Sequence, residues 1–90
     1  MQKQTDSRRE HLYAPLMALG DELRRAREAA DMTQEQVSVA AKIDRAHLSL
    51  LENDHKSPTV DTLVRICRAL GTPASEILAR VERSEQATVE

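Results

Sequence analysis

Thr33 to Asp54 reads TQEQVSVAAKIDRAHLSLLEND. Thr33 followed three residues later by Gln36 is a capping box, which satisfies two of the orphan amides at a helix start. Val37, Ala40 and Ala41 recur at the spacing of a helix that buries one face. Lys42-Ile43 is the turn, and Asp44 caps a second short helix. Leu48 and Leu51 bury that helix from one side. Arg45 and Ser49 fall one turn apart on its polar face. Asn53-Asp54 ends it, because both residue types tolerate a left-handed backbone better than most. The stretch therefore predicts two short helices joined by a tight turn.

Upstream, Pro15 to Ala30 predicts a helix whose buried face is Leu16, Leu19, Leu23, Ala26 and Ala30. Arg24, Arg25, Arg27 and Glu28 lie elsewhere on the wheel, and Asp31-Met32 is the break. Downstream, His55 to Pro58 is a polar loop. Thr59 caps a fourth helix with Val60, Leu63, Ile66 or Cys67, and Leu70 facing inward, and Gly71 stops it. Thr72-Pro73 starts a fifth helix, a capping residue followed by proline at the first helical position. Its inward residues are Ile77, Leu78 and Val81. Residues 1–14 form a polar N-terminal extension. There Ser7 and Glu10 suit a short helix through His11, Leu12 and Tyr13, and Arg8 and Arg9 are tail charges or an arm. The domain proper is 15–81, and 82–90 reads as a frayed acidic tail.

The bulk composition sets limits on this reading. Ninety residues make one domain, and 40% hydrophobic with 31% charged residues supports a modest core. Tyr13 is the sole aromatic residue, so the core is built from aliphatic side chains and alanine, which favours helices. Cys67 has no second cysteine to pair with, which fits a reducing cytoplasm. No apolar run reaches the ~20 residues of a membrane span, and a signal-peptide core is lacking. Glu82, Glu85 and Glu90 against Arg83 account for the net charge of −2, leaving residues 1–80 balanced. A neutral domain can bind nucleic acid when its cations gather on one face.

Two short helices and a tight turn, the second with a polar outer face, are the arrangement of a helix-turn-helix. The second helix of that motif enters the major groove of DNA. Four pieces in order extend the likeness: LGDELRRARE, DMTQEQVSVAA, IDRAHLSLLEND and SPTVDTLVRICRALG. Together they resemble the Cro/lambda-repressor-like helix-turn-helix domain, the XRE family, over roughly Leu19 to Leu78. The resemblance implies an all-α, five-helix lambda-repressor-like domain that binds double-stranded DNA and regulates transcription, as a repressor and as a homodimer. It implies base contacts from Arg45, Ala46, Ser49 and Leu50. Backbone contacts would come from Thr33, Gln34, His47, Asn53, His55 and Lys56. Arg27 and Glu52 match a family pair that ties the first helix to the end of the third.

Two positions depart from the family pattern. Lys42 stands where glycine is frequent; either a lysine there takes a left-handed conformation at a cost of about 1 kcal/mol, or the turn has a different shape. Leu50 stands where a long polar reader is frequent; leucine packs on a thymine methyl and bonds no base edge. The alternative reading is a protein-interaction module of the same fold that does not read DNA. Narrower versions of the first reading are a restriction–modification controller and an autoregulating antitoxin.

Other chemistry has little support. His47, His55 and Cys67 lack metal-ligand spacing, so no metal is expected. Cys67 sits among Leu63, Ile66 and Leu70 as a small core residue. There is no nucleophile–base set and no glycine-rich phosphate loop, so an enzyme is not expected, nor a cofactor, nor a small-molecule ligand.

Overall fold

The computed structural model describes residues 18–89, with side chains through residue 84. The sequence features at Ser7, Arg8, Arg9, Glu10, Leu12, Tyr13 and Leu16 lie outside them. Among the described residues the chain forms five helices and no strand. They are α1 (18–29), α2 (Gln34–Ala41), α3 (Arg45–Glu52), α4 (Val60–Leu70) and α5 (Ala74–Val89). In the packing, α2 lies against both α3 and α4, and α4 lies against α5.

The starts of α2, α3 and α4 are those the sequence predicts; that of the first helix, expected at Pro15, lies outside the described residues. Thr33 Oγ1 accepts from the Gln36 amide at 3.1 Å while the Thr33 amide donates to Gln36 Oε1 at 2.9 Å, the full capping box. Thr59 Oγ1 accepts from the Thr62 amide at 3.1 Å. Asp44 occupies the cap position of α3, but its side chain makes no capping bond. α5 begins at Ala74, one residue after the Thr72-Pro73 signal places it.

The ends of α1 to α4 share one geometry. At each, a left-handed residue turns the chain so that the next amide reaches back five residues. Met32 N–H donates to Arg27 O, Ile43 to Ser38 O, His55 to Leu50 O and Thr72 to Cys67 O, at 2.9–3.1 Å. These are Schellman closures, which satisfy carbonyls the helix itself leaves open. The left-handed residues are Asp31, Lys42, Asp54 and Gly71, with φ of 57°, 60°, 60° and 74°. Only one of the four is glycine. Aspartate tolerates the region; lysine does not, so Lys42 carries the strain its position predicts.

Leu23, Val37, Leu48, Leu51, Ile66, Cys67 and Ile77 are the best-buried side chains of a core shared by all five helices. Both Ile66 and Cys67 face inward, which settles the alternative at that turn. Burial pushes the Cys67 thiol above its usual pKa, so the thiolate is disfavoured there.

Several expected core positions are exposed instead. Ala30 lies past the last helical residue of α1, in the closing turn. Ala40 faces solvent and Ser38 is buried in its place. Ser38 can sit there because its hydroxyl donates to Glu35 O at 2.9 Å. Val60 is 78% exposed: as the first residue of α4 it lies beyond the packed surface. Thr62 takes the inner position, bonded through Oγ1 to Thr59 at 3.0 Å. Leu78 is exposed because Ile77 and Val81, one turn apart, define the inner face of α5. The acidic end expected to fray is helical in backbone, since α5 runs to Val89.

Candidate DNA-binding surface

α3 is eight residues long, too short to hold its orientation unaided. It is fixed from behind at three places. Leu48 and Leu51 enter the core. Glu52, 3% exposed, accepts hydrogen bonds from two neighbouring elements. Asp54, just past the helix end, reaches α1.

The Glu52 carboxylate is the centre of this arrangement. Arg27 of α1 donates to it through Nε at 2.7 Å and Nη2 at 3.1 Å, a bidentate fork. Arg27 Nη1 also donates to Met32 O at 3.0 Å. Gln34 of α2 donates through Nε2 to Glu52 Oε1 at 3.0 Å. One carboxylate therefore ties α1, α2 and α3 together. The hydrogen bond to Glu52 raises the Arg27 pKa, outweighing the opposing effect of burial. The Arg27–Glu52 pair implied by the resemblance is present. The Gln34 side chain is engaged in bracing this pair.

The second tie is absent from the sequence reading. The Gly20 amide of α1 donates to Asp54 Oδ1 at 3.0 Å. α1 approaches so closely that a Cβ on Gly20 would lie 2.6 Å from both Leu51 O and Glu52 O. Burial pushes the Asp54 pKa up, and the Gly20 hydrogen bond draws it back down. The raised value means the contribution of Asp54 to stability is greatest in acid. That contribution is lost as pH rises through the folded-state pKa. Asp54→Asn keeps the acceptor and the tolerance for a left-handed backbone while removing the partly buried charge. Its expected stability at pH 7 equals or exceeds wild type, with a flatter dependence between pH 4 and 7. Asp54→Ala should be less stable at every pH; thermal melts across that range check both.

With its back fixed, α3 turns the opposite face outward. Arg45, Ala46 and Leu50 are exposed, and His47 and Ser49 are half-buried. Asn53, exposed, donates through Nδ2 to Ser49 O at 2.8 Å, which rigidifies the helix end. His55 and Lys56 are exposed in the following loop. At the other edge, Thr33 and Gln34 at the start of α2 share an open groove of about 740 Å³ with Arg27 and Arg45. Glu28, Asp31 and Glu35 line the same groove, so its charge is mixed. Among the described residues there is no cluster of metal-ligating side chains, and no helix is long and apolar enough to cross a membrane.

Two short helices with a tight turn, the second braced from behind and polar outside, define the helix-turn-helix class of DNA-binding domain. The helix-turn-helix family's sequence model matches residues 23–77, and the chain belongs to this family, of the XRE type. It is 38% identical over 77 residues to the transcriptional regulator ClgR of Mycobacterium tuberculosis, covering 78% of this chain and 69% of that one. Among solved structures it is similar to the clp gene regulator ClgR of Corynebacterium glutamicum. The TM-score there is 0.78 at 27% identity, over 83% of this chain and 80% of that one. It is also similar to the restriction-modification controller protein C.AhdI of Aeromonas hydrophila. That match has a TM-score of 0.69 at 25% identity, over 72% of this chain and 98% of that one.

Proposed function

We propose that this protein is a sequence-specific double-stranded DNA-binding transcriptional regulator that acts as a repressor. The observation that carries the reading is α3: anchored by Leu48, Leu51 and Glu52, it holds Arg45, Ala46, Ser49 and Leu50 along its outer side. Arg45 is the direct reader, since a guanidinium can bond guanine O6 and N7 together. Ala46 and Leu50 make apolar contact with thymine methyls, and Ser49 bonds a base edge. Thr33 and Gln34 meet one phosphate strand at the start of α2, where helix amides favour anions. His47, Asn53, His55 and Lys56 meet the other. Occupying a promoter in this way blocks it, which is the repressor mechanism. The work is done where the DNA is, in the cytoplasm, and calls for no catalysis, cofactor or small-molecule ligand. Similarity extends both to a clp gene regulator and to a restriction–modification controller, so transcriptional control is the shared content.

One helix with one long polar reader cannot single out an operator in a genome. The reading therefore includes a homodimer on a two-fold symmetric site, half-site centres about one helical turn apart. Selection of binding sites from random duplex DNA tests the class. Sedimentation with and without the selected duplex tests the dimer. A strict one-to-one complex on every tight site overturns the dimer, and failure to enrich any sequence overturns DNA reading in favour of a protein-interaction module.

Arg45→Ala is expected to weaken binding to the selected duplex by about 1–3 kcal/mol and to relax preference at one position per half-site. Binding-site selection repeated with the variant checks it. Equal loss on specific and random duplexes would move Arg45 to the phosphate backbone.

A further inference from the structure

A second groove, of about 450 Å³, lies at the far end of α2 from the DNA-facing one. Its lining is Ala40, Ala41 and Lys42 from α2 and its turn, with Arg65, Arg68 and Ala69 from α4. None of the α3 residues assigned to bases lines it. Three alanines make a shallow apolar floor, and three cations stand around it. Arg65 is partly committed: its Nη1 donates to Lys42 O at 3.4 Å, and its Nε makes a charge contact with Asp61 at 3.2 Å without hydrogen-bond geometry. Lys42 and Arg68 are exposed and have no carboxylate partner among the described residues. Val39, next in sequence to Ala40, is 67% exposed.

Lys42 makes this groove more than a surface with charges. The turn needs a left-handed residue, which glycine supplies without strain and lysine does not. Strain kept at an exposed position points to a use for the side chain.

We propose that the groove docks an acidic amphipathic segment of a partner protein. Such a segment would lay an apolar side chain on the alanine floor and set carboxylates against Lys42, Arg65 and Arg68. An apolar centre inside a charged rim is the anatomy of a protein interface, and arginine clusters are a recurrent way to take acidic motifs. A bare phosphate strand would make no use of the apolar floor or of Val39. The groove lies at the opposite end of α2 from Thr33 and Gln34, about 12 Å along an eight-residue helix, and none of the residues assigned to DNA lines it.

The test uses the full chain, labelled with nitrogen-15, titrated with a fifteen-residue peptide carrying leucine and glutamate at helical spacing. Saturable shifts should centre on Ala40, Lys42, Arg68 and Ala69. A peptide with lysine in place of glutamate should give none. The double variant Lys42→Gly, Arg68→Gln should bind the acidic peptide at least tenfold more weakly. It should melt no lower than wild type, because glycine relieves the strain at position 42, and it should bind duplex DNA with unchanged salt dependence. No saturable shift, or shifts centred on α3, overturns the proposal. A shallower salt dependence on duplex DNA in the variant would make the groove a phosphate contact instead. Loss of the chain's own self-association in the variant would assign the groove to a second copy.

Discussion

Glu52→Ala should destabilise the protein by about 3–5 kcal/mol, the usual cost of stranding one member of a buried ion pair. The size follows from what remains. Arg27, with a side chain only 14% exposed, keeps its charge and loses its bidentate acceptor. Gln34 loses its partner as well. Against a total stability of about 5–15 kcal/mol for a domain of this kind, that is a large share, and the variant should melt at least about 10 °C lower. Replacing both partners with apolar residues of similar volume, as in Arg27→Met with Glu52→Leu, should recover much of the loss, because no buried charge is then left alone. Urea unfolding of the four proteins in the double-mutant cycle measures the coupling. Strict additivity would show that the fork adds nothing beyond its separate parts.

Gly20→Ala should also destabilise, against the ordinary expectation for a helix. Glycine within a helix is about 1 kcal/mol worse than alanine, so by propensity alone the substitution should help. At residue 20 the new methyl carbon would meet two backbone oxygens of α3 at 2.6 Å, and backbone does not swing aside as a side chain end does. α1 must then move away from α3, lengthening the bond to Asp54 and opening the Arg27–Glu52 fork. A net loss of about 1–3 kcal/mol is expected, typical of overpacking. A thermal melt checks the sign as well as the size: a rise in melting temperature would show that α1 sits more loosely than the structure has it.

These two positions mark where the sequence could and could not be read. The limits of α2, α3 and α4 were legible because their causes are local. Thr33 and Gln36 are three residues apart, and Thr59 and Gly71 act on the chain next to them. Glu52 was legible only through the family likeness. By periodicity alone, it is a charged residue at the end of a short helix. Gly20 and Asp54 are 34 positions apart, and nothing in either neighbourhood signals that they meet. Small errors of facing came from the same limit. Ala40 and Val60 are apolar and correctly spaced, but the two-turn α2 has room for few inward residues, and Val60, first in α4, lies beyond the packed surface. Ser38 and Thr62 could take those places by bonding their hydroxyls to nearby chain atoms. The outward face of α3 was legible from the anchoring of Leu48 and Leu51, and its role toward bases is the part that binding-site selection tests.

The division of α3 into an anchored back and a free front also bears on how such a protein can change its target over generations. Arg45, Ala46 and Leu50 are exposed, whereas Leu48, Leu51 and Glu52 are enclosed. Substitutions at exposed positions away from caps and ion pairs typically alter stability by no more than about 0.5 kcal/mol. With these residues as the proposed base readers, sequence preference can drift through one or two positions at a time while the fold stays within its margin. Gene duplication would then give two copies free to part company in what they read, with the same enclosed residues retained in both.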